Sequence, residues 1–254
     1  MNRLLKVFAL TLMMVVGGQA MAQTRGAMFL GASFPMSDFA EFDAFDDFAL
    51  TTNEFDNDDA GAGIGFNAGL KWYFNVGVQG LGVMLSVDGF YNGPSKDLKN
   101  FYRETEDSFN GGSLKYKATP QYINVPAMLG LNYIYHINPN LGVYVEAGAG
   151  GNLRFITEME TISKQEVLGL ETKTVTTNTY DKAFSFAYQV GAGIEVARNL
   201  VVGCSFYDLG KANVNMTETK KIVSGNSNPS TFKDYKPLGT VRPVMILARI
   251  GFSF

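Results

Sequence analysis

The stretch GAGIGFNAGLKWYFN, Gly61–Asn75, separates into two unlike sets when every second residue is taken. Ala62, Ile64, Phe66, Ala68, Leu70, Trp72 and Phe74 are apolar, whereas Gly61, Gly63, Gly65, Asn67, Gly69, Lys71 and Tyr73 are mostly small or polar. Side chains alternate across a strand with period two, so the pattern is that of a strand with one apolar and one thin polar face. Something apolar must cover the first face. The second must look into a space narrow enough to suit glycine.

The same alternation recurs in AMFLGASF (27–34), LGVMLSVDGFYN (81–92), YINVPAMLGLNYIY (122–135), LGVYVEAGAGGNLRF (141–155), AFSFAYQVGAGIEV (183–196), LVVGCSFY (200–207) and PVMILARIGFSF (243–254). That makes eight strands, most of them as long as the roughly 9–11 residues of a tilted transmembrane strand. Their connections alternate in length. NVGVQG, HINPN and ARN are short, while the other four are long and polar. Short turns on one rim and long loops on the other are the layout of an outer-membrane barrel, with the short turns periplasmic. Lipid then covers the apolar face, and closure satisfies every backbone group within the hydrocarbon. A secreted β-sandwich also alternates but leaves the rhythm of the connections unexplained. Trp72, Tyr73, Phe74, Tyr133, Tyr135 and Tyr207, near strand ends, are expected to form interfacial girdles.

The N-terminus agrees with export. Arg3 and Lys6 precede an apolar run from Val7 to Val16, followed by Ala20-Met21-Ala22. This is the pattern of a signal peptide cut after Ala22, so residues 1–22 are expected to be removed and 23–254 to form the barrel domain. The run is too short for a membrane-spanning helix, which needs about 20 residues. The expected location is the outer membrane of a Gram-negative cell. The formal net charge of −3 excludes a nucleic-acid binder. The one cysteine, Cys204, can form no internal disulfide.

RIGFSF, ending on Phe254, resembles the terminal strand signal by which outer-membrane barrels engage their insertion machinery. YINVPAMLGLNY followed by NLGVYVEAGAGGNLRF resembles the β-barrel family common in Bacteroidetes, the porin-family or PorT-like group. There a Tyr-x-x-x-Pro segment opens a central strand, a spacing that Tyr122 and Pro126 match, and a glycine-rich strand follows. The resemblance covers essentially the whole mature chain and implies an OmpA/OmpX-sized barrel. It assigns no activity.

An eight-stranded barrel is filled by its own side chains or holds one small ligand. The lumen phase carries Lys71, Asp88, Glu146, Arg154, Glu195 and Arg249, three acids against three bases. Isolated buried charges are costly, so these are expected to pair. Arg249 and Lys71 are expected to answer Glu146 and Glu195 in the periplasmic half. A rigid, salt-bridged plug is the expected result, with a proton or ion path as the alternative.

No catalytic set emerges. Barrel enzymes mostly use a histidine base near the outer rim. The single histidine, His136, lies in a periplasmic turn, so the chain is read as non-enzymatic, with no cofactor. The first long loop, Ser37–Asp59, is acidic and carries Phe39, Phe42, Phe45, Phe48 and Phe55. Asp56, Asp58 and Asp59 are hard oxygen ligands of the kind Ca²⁺ takes. DNDD lacks the sixth-position glycine and twelfth-position glutamate of an EF-hand loop, which favours a solvated cap. The third loop, EMETISKQEVLGLETKTVTTNTYDK, reads as a hairpin prolonging its strands beyond the membrane. The fourth, NVNMTETKKIVSGNSNPSTFKDYKPLG, is long and polar, and exposed strand edges in these loops could recruit another chain.

The expected function is therefore that of a non-enzymatic surface barrel, structural or interaction-forming through its loops. The alternatives are a narrow channel or small hydrophobic-ligand transporter, or an accessory subunit of a secretion or envelope machine. The expected partners are lipid, the insertion machinery and a protein at the loops.

Overall fold

The computed structural model describes residues 24–41, 60–167, 170–197, 199–225 and 228–254. The strands in chain order are β1 (Thr24–Met36), β2 (Ala62–Asn75), β3 (Leu81–Pro94), β4 (Gly112–Ala118), β5 (Tyr122–Asn138), β6 (Leu141–Ile156), β7 (Met159–Val167), β8 (Leu170–Tyr180), β9 (Ala183–Val196), β10 (Leu200–Asp208), β11 (Ala212–Ser224), β12 (Ser230–Val241) and β13 (Val244–Ser253). An α-helix, α1 (Lys96–Ser108), follows β3. The segment containing the proposed signal peptide lies outside the described residues.

Eight strands close an antiparallel barrel in the order β1-β13-β10-β9-β6-β5-β3-β2. They are the eight that alternation picks out. β1 joins the last strand, Ala27 opposite Ser253 and Met36 opposite Val244, so no edge is left open to lipid. The two faces separate as the alternation requires. Ile64, Phe66 and Leu70 of β2 are exposed on the outside, whereas Asn67 and Lys71 are buried within. Cys204 also lies on the outward face.

The aromatic girdle needs two corrections. Tyr207 is completely buried, and Tyr73 packs inward against the cluster of Phe29 and Tyr144. Both sit in the lumen phase of their strands, so ring type does not overrule the period. Tyr133 and Tyr135 do face outward, 44% and 62% exposed.

From mid-barrel to the outer rim an apolar cluster shares the interior with buried polar side chains such as Asn92, Asn124, Asn152 and Arg154. Phe90, Met128, Met245 and Leu247 meet Leu209, Val214 and Val241 from the segment between β10 and β13. Phe39 of the first loop inserts among them, its ring edge-on to Tyr122 at 5.4 Å between centroids.

The long connections do more than the sequence reading expects. Three of them build a second, five-stranded sheet in the order β12-β11-β8-β7-β4, standing on the outer rim. The third loop does form a hairpin, β7 with β8. It is separated from β6 and β9 by short breaks and pairs instead with strands from the second and fourth loops. Helix α1 begins where Ser95 Oγ accepts a hydrogen bond from the Leu98 amide at 3.1 Å. It covers the β4 edge: the Tyr116 amide donates to Glu106 Oε1 at 2.6 Å, and Tyr102 packs on Tyr116.

Candidate functional site

The lumen phase of four strands, β2, β3, β6 and β13, brings charge to one level of the barrel. Lys71 from β2 and Glu146 from β6 form an ion pair with both side chains fully enclosed. Arg249 from β13 lies between two acids, at 2.9 Å from Glu146 Oε1 and 3.4 Å from Asp88 Oδ1 of β3. Its guanidinium also donates to Ser205 Oγ at 2.6 Å and to the Tyr207 hydroxyl at 3.2 Å. Tyr207 in turn donates to Asp88 Oδ2 at 2.9 Å. The Phe29 ring lies beside both cations, 5.5 Å from Lys71 Nζ and 5.1 Å from Arg249 Cζ. Two cations and two carboxylates thus balance, bridged by hydroxyls, as burial of charge requires.

The remaining charges of the lumen phase lie elsewhere. Glu195 does not join the cluster; it pairs with Arg25 at 2.5 Å. The strand reading that begins at Ala27 leaves Arg25 out, but it shares the inward phase of Ala27, Phe29 and Ser33. Extending β1 backwards by two residues exposes the missing partner. Arg154 has no acid partner among the described residues. It stands near the outer rim and donates to the carbonyls of Val241 at 2.6 Å and Gly210 at 3.0 Å, and to Asn124 Oδ1 at 3.2 Å. Its role is to tie the β10–β11 and β12–β13 connections to β6. Gly210 makes that turn with φ +71°, a conformation that favours glycine. Another ion pair closes the same rim, Arg242 to Asp208 at 2.5 Å. The Asp208 carboxylate holds the Arg242 guanidinium above its ordinary pKa. Asp56, Asp58 and Asp59 lie outside the described residues. Among the described residues no three His, Cys, Asp or Glu side chains converge to hold a metal.

Below the cluster the lumen opens into a periplasmic vestibule of about 620 Å³, lined among others by Arg25, Tyr73, Asn132, Ile134 and His136. Deeper in it narrows to about 10 Å³ beside Tyr144 and Glu195. His136 lies at this mouth. The outer end of the lumen is filled by the apolar cluster around Phe90 and Met245.

Several solved structures are similar at low identity. Ail, the attachment invasion locus protein of Yersinia pestis, is 14% identical, with 91% of this chain and 99% of that one covered and a TM-score of 0.39. A major outer membrane protein from Thermus thermophilus is 10% identical, over 91% and 100%, with a TM-score of 0.46. OprG of Pseudomonas aeruginosa is 14% identical, over 91% and 94%, with a TM-score of 0.37. Among curated proteins none matches the chain. The family model described as the outer membrane protein beta-barrel domain matches residues 8–228, most of the sequence. With eight closed strands, an outward apolar face and a filled polar lumen already in view, the chain belongs to the outer membrane protein beta-barrel domain family and resides in the outer membrane.

Proposed function

We propose that this protein is a non-enzymatic surface barrel that acts through its extracellular loops, with the transmembrane part serving as a rigid, plugged support. The observation carrying this reading is the contrast between the two ends. The loops invest three connections in one ordered sheet, whereas the lumen spends its polar groups on one another. Loops that only tolerate length do not pair across three separate connections. A barrel built for conduction does not fill its outer half with Phe90, Met128 and Met245. The resemblance to the PorT-like group of Bacteroidetes supports export by a cleaved signal peptide and leaves room for service as an accessory subunit of an envelope machine.

The narrow conduit is the second reading, favoured by the periplasmic vestibule. Planar bilayers separate the two. The purified barrel is expected to give no steady porin-like conductance, since eight strands leave little room for water once filled. A stable ohmic step of porin size would remove the plugged-lumen reading. Mild cross-linking on intact cells, followed by purification, should recover a partner on the loops. Recovery of none would leave only the structural role.

A further inference from the structure

The register of the extracellular sheet places one lysine of each strand on the same face. Lys164 of β7 is directly opposite Lys173 of β8. Lys173 is opposite Val223 of β11, two residues from Lys221 on the same face. Lys221 is opposite Thr231 of β12, two residues from Lys233. On the other side Lys164 is opposite Ser113 of β4, two residues from Lys115. The result is a staggered band, Lys115-Lys164-Lys173-Lys221-Lys233, crossing all five strands, in which Lys115 and Lys221 sit two residues and Lys233 four residues nearer the barrel than the Lys164–Lys173 pair. At about 4.8 Å between strands it spans roughly 19 Å across the sheet.

This face is turned away from the barrel axis. Val214 and Tyr180, which pack on the barrel core, lie on the opposite phase of β11 and β8. All five lysines are exposed. Lys164 shares Glu171 at 2.9 Å, and Glu160 on this face is taken by Lys117. Lys115, Lys173, Lys221 and Lys233 have no ion pair among the described residues. Glu166, near the hairpin tip, and Asp181, at the barrel end beside Asn215, are the remaining acids of the face. The two lysines of the inner phase behave differently: Lys220 and Lys236 both pair with Glu218. A chain that is acidic overall thus carries an excess of positive charge on one outward face. The Lys164–Lys173 pair is partly answered by Glu166 and Glu171, which oppose each other two residues nearer the hairpin tip.

We propose that this face binds a linear acidic polysaccharide laid across the strands. This rests on the loop-interaction reading above and names its partner class. The direction of the band excludes strand addition at the β12 edge, because a paired strand would run along β12 rather than across the sheet. Height excludes a lipid headgroup. Lys173 precedes the outward-facing Phe184 by eleven residues and the lowest lysine, Lys233, is level with Thr177, seven residues before it, about 36 Å and 23 Å of extended chain. The headgroup layer extends only about 5–8 Å beyond the hydrocarbon. The surroundings of the lysines suit sugar better than peptide. Thr177, Thr217, Thr219 and Thr231 share the face and present hydroxyls. Tyr235, 61% exposed and two residues from Lys233, offers a flat ring on which a sugar ring can rest.

The test uses the full chain in detergent micelles with labelled dextran sulfate as the probe, and neutral dextran and poly-glutamate as comparators. Native protein is expected to bind dextran sulfate more tightly than either comparator, and to release it as salt shortens the screening length. Lys173→Gln/Lys221→Gln/Lys233→Gln should weaken binding at least about tenfold. Lys220→Gln/Lys236→Gln, on the opposite face, should leave it unchanged. Heat-modifiable migration checks that both variants fold. Equal loss in the two variants, or binding of neutral dextran as tight as that of dextran sulfate, overturns the proposal. Poly-glutamate bound as tightly as dextran sulfate overturns the polysaccharide assignment. A protein recovered by surface cross-linking in the absence of polyanion binding would sink this inference alone, whereas porin-size conductance would count against the plugged support beneath it.

Discussion

Arg249→Met is expected to destabilise the folded barrel by about 3–5 kcal/mol, the range for breaking a buried charge pair from one side. The substitution leaves Asp88 and Glu146 facing one cation, Lys71, in a site from which water is excluded. It also strips donors from Ser205 and Tyr207. Methionine fills much of the volume, so little of the loss would come from a cavity. The pattern of rescue is diagnostic. Asp88→Asn added to Arg249→Met restores one cation to one carboxylate and should recover part of the loss. Glu195→Gln should not help, because its partner is Arg25. Urea unfolding in detergent measures all three. Simple additivity between Asp88→Asn and Arg249→Met would mean that the two side chains are solvated independently and that the cluster has no energetic reality.

Leu70→Arg carries the second large effect. Leu70 lies in a continuous outward row, with Met28 of β1 opposite on one side and Val87 of β3 on the other. Its position in the middle part of β2 puts a cation where the lipid face is deepest, at a cost of about 2–4 kcal/mol. Domains have only about 5–15 kcal/mol in total, so a visible share of the chains should fail to fold. Ile64→Arg, on the same face but near the outer end of β2, should cost about 0–1 kcal/mol, because the penalty falls towards the interface. Heat-modifiable gel migration reads the folded fraction of each. Equal losses in the two variants would show that Leu70 does not sit at greater depth in lipid.

Much of this was readable because the controlling signals are local. Two residues apart on a strand means the same face, whatever the strand pairs with. GAGIGFNAGLKWYFN therefore declares an outside and an inside before any partner is known. The eight barrel strands, the short periplasmic turns and the inward phase of Lys71, Asp88, Glu146 and Arg249 all follow from that rule. The same rule, held consistently, would also have sent Tyr73 and Tyr207 inward, against the girdle suggested by their aromatic rings. Arg25 was hidden by a boundary, since a strand read from its apolar residues stops where the apolar residues stop.

Which inward charges meet is a different kind of fact. Lys71 reaches Glu146 across 75 positions and Arg249 reaches Asp88 across 161. Those encounters are set by the stagger at which the strands close, a property of the whole circle rather than of any segment. Closure placed Glu195 beside Arg25 and left Arg154 among carbonyls. It also determined what the loops became. Each loop alone shows only weak alternation, and a two-stranded hairpin is marginal in water. Mounted side by side on one rim, three of them share a five-stranded sheet and bring their lysines to one face. Period-two alternation is local, so the order of residues alone reveals a barrel wall and the side chains that face in or out. The partners of the buried charges and the common face of the loops rest on register between distant segments, and they emerge only when the barrel closes.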